Sequence, residues 1–171
     1  TIQHFLEEND IPGISGIDTR ALTKILREKG TMNGMITTNE QYVLDDILPQ
    51  LKAYSVTGVV AKVSRTEKDS YVPGDLGSQK TEIERKVAVI DVGTKNNIIR
   101  CLLNRGCAVD VYPQSFSAAE VIADKPDGIM ITNGPGDPSE CVEVIEQIRE
   151  LAKSGIPIFA VCLGHQLMAL A

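Results

Sequence analysis

Tryptophan is absent from this 171-residue sequence, and aromatic residues make up only 4% of it. The core must therefore be aliphatic, a composition that suits layered α/β proteins, whose central strands are rich in Val and Ile. Hydrophobic residues account for 43% of the chain and charged residues for 23%. A chain of this composition has enough apolar side chains to fold, and we do not expect it to be disordered.

Long hydrophobic runs and clusters of basic residues are also lacking. The apolar run at 156–161 is among the longest, and it is far too short to span a membrane. The net charge is −6, from 17 basic and 23 acidic residues, so we expect no nucleic-acid partner. No signal peptide is visible, and because the chain opens within a predicted helix we expect further sequence upstream.

Histidine and cysteine are scarce as well. The two histidines are His4 and His165, and the cysteines stand at 101, 107, 141 and 162 with no C-x-x-C spacing. This pattern predicts no metal site and no disulfide framework. The sequence is typical of a reduced, cytoplasmic protein.

Composition changes between residues 64 and 86, where charged residues, Pro73-Gly74 and Gly77-Ser78 separate two apolar regions. We therefore place a domain boundary near residue 80. Residues 1–80 would form part of a small α+β domain, which is too small to bury a core alone. Asp18 is a suitable N-cap for one of its helices, and Gly30 a suitable end. The predicted helices span 1–9, 19–29 and 40–53, and the predicted strands span 34–37 and 56–63.

Residues 81–171 alternate between apolar strands and amphipathic helices, which predicts βαβ units and a parallel sheet with right-handed crossovers. The predicted strands span 87–92, 108–112, 128–132 and 157–161. The predicted helices span 95–104 and 118–124, a third is capped by Ser139, and a fourth begins at Gly164. Ligands bind beyond the carboxyl ends of the strands in such sheets.

Two motifs lie at these carboxyl ends. Cys162 follows the last predicted strand, within the run Phe159-Ala160-Val161-Cys162-Leu163-Gly164-His165-Gln166. The amides and dipole of the following helix favour a thiolate at such a corner, and Leu163 N–H is a candidate oxyanion donor. Compared with the G-x-S-x-G elbow of hydrolases, Ala160 replaces the first glycine.

The second motif, Asn-Gly-Pro-Gly-Asp-Pro at 133–138, follows the preceding strand. Its glycines, Gly134 and Gly136, would expose backbone amides and let a ligand approach closely. Glycine and proline also occur in any ordinary turn, so the placement beside Cys162 is what favours a site.

Each remaining candidate residue has a structural alternative. Most free cysteines are buried and structural. We interpret three of the four in that way: Cys101, Cys107 and Cys141. His165 follows Cys162 by three residues, and we favour a packing or helix-supporting role for it. Gln166 lies about one helical turn after Cys162 and can face the same cleft to bind a polar substrate.

These motifs resemble those of the class I (triad-type) glutamine amidotransferases, in which the nucleophile lies in a Cys-Leu-Gly-His-Gln run beside an Asn-Gly-Pro-Gly-Asp-Pro loop. Upstream, the segments at 16–23 (Gly-Ile-Asp-Thr-Arg-Ala-Leu-Thr) and 26–30 (Leu-Arg-Glu-Lys-Gly) resemble the N-terminal domain of the carbamoyl-phosphate synthetase small chain. The segment at 92–98 (Val-Gly-Thr-Lys-Asn-Asn-Ile) is similar to the start of its amidotransferase domain. The resemblance covers nearly the whole chain.

The resemblance implies a flavodoxin-like amidotransferase domain that hydrolyses the side-chain amide of glutamine. Cys162 is the implied nucleophile, Leu163 and Gly134 would hold the oxyanion, and Gly136 and Gln166 would help bind glutamine. No cofactor or metal is implied within this chain. In the family, ammonia passes to a large subunit of a cytoplasmic heterodimer, which uses ATP and bicarbonate to make carbamoyl phosphate for arginine and pyrimidine biosynthesis.

Family members carry their catalytic His and Glu well downstream of the nucleophile, whereas this sequence ends nine residues after Cys162. We therefore expect an internal fragment of a longer subunit, which hydrolyses no glutamine by itself. Two alternatives stay open. One is the amidotransferase of another pathway, such as anthranilate or GMP synthesis, which needs no such upstream domain. The other is a non-catalytic interaction module.

Overall fold

The computed structural model describes residues 1–171, which divide into two compact units, Thr1–Ser55 and Val56–Ala171. The first unit contains three helices: α1 (Ile2–Glu8), α2 (Thr19–Lys29) and α3 (Leu44–Ala53). Asp18 caps α2 as predicted, since its carboxylate accepts a hydrogen bond from Ala21 N–H at 2.9 Å, and Gly30 ends the helix. The strand predicted at 34–37 is not formed, and the third helix begins four residues later than predicted.

The second unit begins well before the boundary that the sequence places near residue 80. Its first helix, α4 (Val59–Val63), occupies a segment that was predicted to be a strand, and that prediction was wrong. The run of valines favours a strand locally, but Gly58 adopts a left-handed conformation that starts a helical turn, and the turn buries Val60. A short strand that the sequence did not predict, β1 (Asp69–Tyr71), then joins the sheet.

A five-stranded sheet forms the centre of this unit. Its other strands are β2 (Arg85–Ile90), β3 (Cys107–Tyr112), β4 (Gly128–Ile131) and β5 (Ile158–Ala160), in the spatial order β1-β3-β2-β4-β5. All neighbouring pairs are parallel except β1 with β3. The predicted parallel α/β sheet is therefore confirmed for β2 to β5, and an antiparallel strand that the sequence did not predict is added at one edge.

Helices cover both faces of the sheet. The core on one face includes side chains of α6 (Ala118–Ala123), α7 (Val142–Ala152) and α8 (Leu163–Leu170). The core on the other face includes Ile99 and Leu103 of α5 (Asn96–Leu103). The predicted Ser139 cap was wrong: Pro138–Glu140 forms a separate 3-10 turn, and Cys141 is the N-cap of α7. None of the eight α-helices is long and apolar enough to span a membrane.

The strand order creates a crevice at the carboxyl ends of the strands. After β2 the chain forms β3, which pairs with one side of β2. It then returns past β2 and forms β4, which pairs with the other side of β2. Connections leave the sheet in opposite directions at such a reversal, and the loops there leave room for a ligand. Residues 91–95, 132–138 and 161–164 follow β2, β4 and β5 and lie at this end of the sheet.

Candidate active site

Cys162 occupies a strained corner between β5 and α8. Its backbone has φ 54° and ψ −115°, a left-handed conformation that few residues other than glycine adopt. It is the N-cap of α8, and its carbonyl accepts a hydrogen bond from Gln166 N–H at 3.1 Å. The residue is exposed. Strain of this kind is typical of the nucleophile elbow, in which a sharp turn presents the reactive side chain at the top of the sheet.

Tight packing against β4 holds this corner in place. Val161 N–H donates to the carbonyl of Ile131, and Gly164 N–H donates to the carbonyl of Thr132, both at 3.0 Å. A β-carbon built at Gly164 would lie 2.5 Å from the Ile131 carbonyl oxygen, so only glycine allows the helix to approach so closely. The surrounding structure thereby offsets the strain at Cys162, which costs about 1–3 kcal/mol.

Gly134 lies between two other loops of the site. A β-carbon at this position would overlap the carbonyl oxygen of Val92 and lie 2.7 Å from Leu163 Cδ2. The structure therefore brings the Asn-Gly-Pro-Gly-Asp-Pro segment (the glycine loop, residues 133–138) against the residue that follows Cys162. Contact between these two motifs is the arrangement that the sequence predicted for an amide-hydrolysing site.

Gly136 lies further along the same loop, with φ 89°. A β-carbon there would lie 3.6 Å from Val59 Cβ in α4. Gly136, Val59 and Glu140 are among the residues that line a cavity of about 300 Å³. Gly136 therefore lies near α4, whereas Gly134 contacts Leu163, the residue after Cys162.

The first turn of α8 carries one buried apolar side chain and two exposed polar ones. The Leu163 side chain is buried in the core, and its N–H belongs to the first helical turn, where no helical carbonyl is within reach. His165 and Gln166 are both exposed, so His165 does not pack in the core as the first of its two predicted roles required. This turn can therefore offer a free backbone donor next to the sulfur of Cys162, with a polar amide one turn along the helix.

The other cysteines have different surroundings. Cys107 and Cys141 are buried, and burial raises the pKa of both thiols. Cys101 is instead exposed on α5, so the prediction of a buried structural cysteine was wrong at this position. Its Sγ lies 3.9 Å from Asn97 Nδ2. No group of three or more His, Cys, Asp or Glu side chains is arranged to hold a metal ion.

Sequence reasoning missed a buried carboxylate at the end of β2. The Asp91 side chain is almost fully buried, and its Oδ1 accepts hydrogen bonds from Gly93 N–H at 2.9 Å and Thr94 N–H at 2.7 Å. Its Oδ2 accepts two more, from the N–H and the Nη1 of Arg65, each at 3.1 Å. Burial alone would raise the pKa of Asp91, but the hydrogen bonds from Thr94, Gly93 and Arg65 outweigh it and lower the pKa. An acidic residue within the apolar run at 87–92 was the signal available in the sequence.

Comparisons with known proteins match both parts of the chain. Residues 88–171 match the family model described as glutamine amidotransferase class-I. Residues 1–36 match the one described as carbamoyl-phosphate synthase small chain, CPSase domain. The boundary predicted near residue 80 lies between the two matched segments, and it stays a prediction.

Curated relatives named carbamoyl phosphate synthase small chain are similar to the chain over its whole length. The relative from Vibrio cholerae is 41% identical over 100% of this chain and 48% of its own length. The relative from Clostridium perfringens is 43% identical over 99% of this chain and 45% of its own length. The relative from Lactococcus lactis is 43% identical over 100% of this chain and 45% of its own length. The chain thus spans about half the length of the curated relatives it matches.

Proposed function

The chain belongs to the carbamoyl phosphate synthase small-chain family of class I glutamine amidotransferases, and we propose that it forms the part of the glutaminase site that carries the nucleophile. In this proposal, the site releases ammonia from the side-chain amide of glutamine for carbamoyl phosphate synthesis. The observation that carries the proposal is the strained, exposed Cys162 at a strand-to-helix corner, with the Gly134 loop packed against Leu163. A structural cysteine would not need a conformation that costs free energy.

The chemistry proceeds through a covalent intermediate. The thiolate of Cys162 attacks the side-chain carbonyl carbon of glutamine, forming a carbon–sulfur bond and a tetrahedral oxyanion. When the oxyanion collapses, the carbon–nitrogen bond breaks, and the amide nitrogen takes up a proton and leaves as ammonia. Water then attacks the glutamyl thioester, and glutamate and the free thiol are released.

The oxyanion and the substrate would be held mainly by backbone groups. Leu163 N–H lies in the first turn of α8, where the helix dipole also favours negative charge. Gly134 N–H comes from the loop that packs against the Leu163 side chain, and we propose it as the second donor to the same oxyanion. Gly136 and Gln166 would help bind the polar end of glutamine.

The substrates and partners of the complete enzyme belong to the same proposal. We propose that the ammonia is used by a large subunit, with ATP and bicarbonate, and that this chain itself needs no cofactor or metal. The match of residues 1–36 to the small-chain domain favours this pathway over anthranilate or GMP synthesis. A cytoplasmic location, and the expectation that the 171-residue chain alone turns over no glutamine, stay predictions.

Selective alkylation by a chloroketone analogue of glutamine tests the proposal. Cys162 and Cys101 are both exposed, so Cys101 is the matched internal control for simple accessibility. Peptide mass spectrometry after limited labelling should find the adduct at Cys162 in large excess over Cys101. Equal labelling of the two cysteines would show that Cys162 has no specific glutamine pocket, and would contradict the proposed function.

A further inference from the structure

A hydrogen-bonded link connects residues 64 and 65 to the end of β2. Arg65 reaches Oδ2 of Asp91 with both its backbone N–H and its guanidinium, and Ser64 Oγ donates to the Asp91 carbonyl at 2.7 Å. Ser64 Oγ in turn accepts a hydrogen bond from Gln114 N–H at 2.8 Å. The Arg65 side chain is 20% exposed and the Asp91 side chain 3%. Hydrogen-bonded ion pairs that are shielded from water hold their geometry more firmly than exposed ones.

Asp91 also holds the turn at 93–94 through hydrogen bonds. Its Oδ1 holds the N–H groups of Gly93 and Thr94, so both oxygens of one carboxylate are occupied by two different segments. The turn could not keep its place if the carboxylate moved. Arg65, on the other side, donates two hydrogen bonds to the second oxygen of the same carboxylate.

The glycine loop and the strand end before it contact this turn at 93–94. Thr94 Oγ1 donates to Thr132 Oγ1 at 2.9 Å, and the Gly93 carbonyl accepts from Asn133 Nδ2 at 3.0 Å. A β-carbon at Gly93 would lie 2.9 Å from Pro135 Cδ and 3.1 Å from Gly134 Cα. The contacts therefore run without a gap from Arg65 through Asp91 to Gly134, which contacts Leu163.

We propose that Arg65 is a positioning residue for glutamine binding, which acts through Asp91 to fix the Asn133–Gly134 part of the loop beside Cys162. This inference rests on the proposed function and adds to it a residue outside the matched segment 88–171. Arg65 touches no reacting atom. Its contribution is to keep the backbone N–H of Gly134 in the place where the substrate oxygen needs it.

The test measures saturation kinetics of chloroketone labelling at Cys162 in the whole chain, for wild type, Arg65→Met and the double variant Arg65→Met with Asp91→Asn. The concentration that gives half the limiting rate should rise about tenfold in both variants, a coupling of ordinary size between linked residues. The rate of alkylation by iodoacetamide, which needs no glutamine pocket, should stay within about twofold of wild type. Arg100→Met is the matched control. Arg100 is also half-buried, but it donates a hydrogen bond to the Leu76 carbonyl, on the face of the sheet that α5 covers. The half-saturating concentration of this variant should equal that of wild type.

The double variant covers the case in which Arg65→Met alone fails to fold, because it leaves no unpaired buried carboxylate. An unchanged half-saturating concentration in a folded variant would overturn the positioning role, even if the variant were less stable to urea. A wild-type chain that shows no saturation would contradict the proposed function itself, and the positioning role with it. The two failures are therefore distinguishable.

Discussion

Gly134 lies directly against Leu163: a β-carbon on Gly134 would come within 2.7 Å of Leu163 Cδ2. The two residues are 29 positions apart: Gly134 lies in the loop after β4, and Leu163 begins the helix that follows the adjacent strand β5. Their contact joins the glycine loop to the corner that carries Cys162.

Gly134→Ala should destabilise the fold and impair the site together. The added methyl group would overlap the Val92 carbonyl, which is fixed backbone, so the loop must move, at a cost of about 1–3 kcal/mol. Urea unfolding should show this loss, and chloroketone labelling of Cys162 should slow. Gly128→Ala in β4 is the control, because its nearest contact would be an ordinary 3.7 Å to the Pro157 carbonyl oxygen. Equal effects of the two substitutions would contradict the close packing described for Gly134.

Replacing Cys162 tests the strain at the corner. Its φ of 54° and ψ of −115° suit glycine better than any residue with a β-carbon. Cys162→Gly should therefore be more stable than Cys162→Ala by about 1 kcal/mol. Guanidinium unfolding of the two variants measures the difference directly. If the alanine variant were equally stable, the corner would not be strained.

The stability of the second unit should depend on pH through Asp124, which lies near the β1 edge of the sheet. Hydrogen bonds from Lys68, and then from Tyr112, lower the pKa of Asp124 to about 2. Since this folded-state pKa lies below the unfolded value of about 3.9, the stabilisation is present above pH 4 and is lost as the pH falls towards 2. Asp124→Asn should lose less stability than wild type over that range, as measured by urea unfolding at several pH values. Identical pH dependence would mean that Asp124 is not held by these partners in solution.

Steady-state glutamine hydrolysis should be absent from the 171-residue chain on its own. Turnover needs a base that accepts the thiol proton and returns it to the leaving ammonia, and the two histidines of the chain are His4 and the exposed His165. A coupled assay for ammonia, with Cys162→Ser as the blank, measures this. Ammonia release well above that blank would contradict the prediction.

The sequence predicted the parallel strands to within about two residues because each is an apolar run bounded by glycine, proline or a charged residue. It also predicted the corner at Cys162, because a residue directly after a predicted strand can be identified from the local pattern alone. Strand β1 was missed because Asp69-Ser70-Tyr71 is polar and short, and its place depends on pairing with Val111, Asp110 and Val109. Edge strands of this kind carry little hydrophobic pattern.

The pairing of Arg65 with Asp91 could not be predicted from local pattern. The two residues are 26 positions apart, and neither belongs to a motif that fixes their distance. A charged residue in an apolar strand does indicate a buried partner, because an unpaired buried carboxylate is costly. Which of the 17 basic residues supplies the partner is decided by the path of residues 56–71, where the strand prediction at 56–63 was wrong.

Competition by the substrate itself tests the central claim, that Cys162 stands in a formed glutamine site. The rate at which the chloroketone alkylates Cys162 should fall as glutamine is added, reaching half its value at a definite concentration, while the slow labelling of Cys101 is unaffected. Glutamate at the same concentrations should protect much less, because it lacks the amide. A labelling rate at Cys162 that is independent of glutamine would contradict the account.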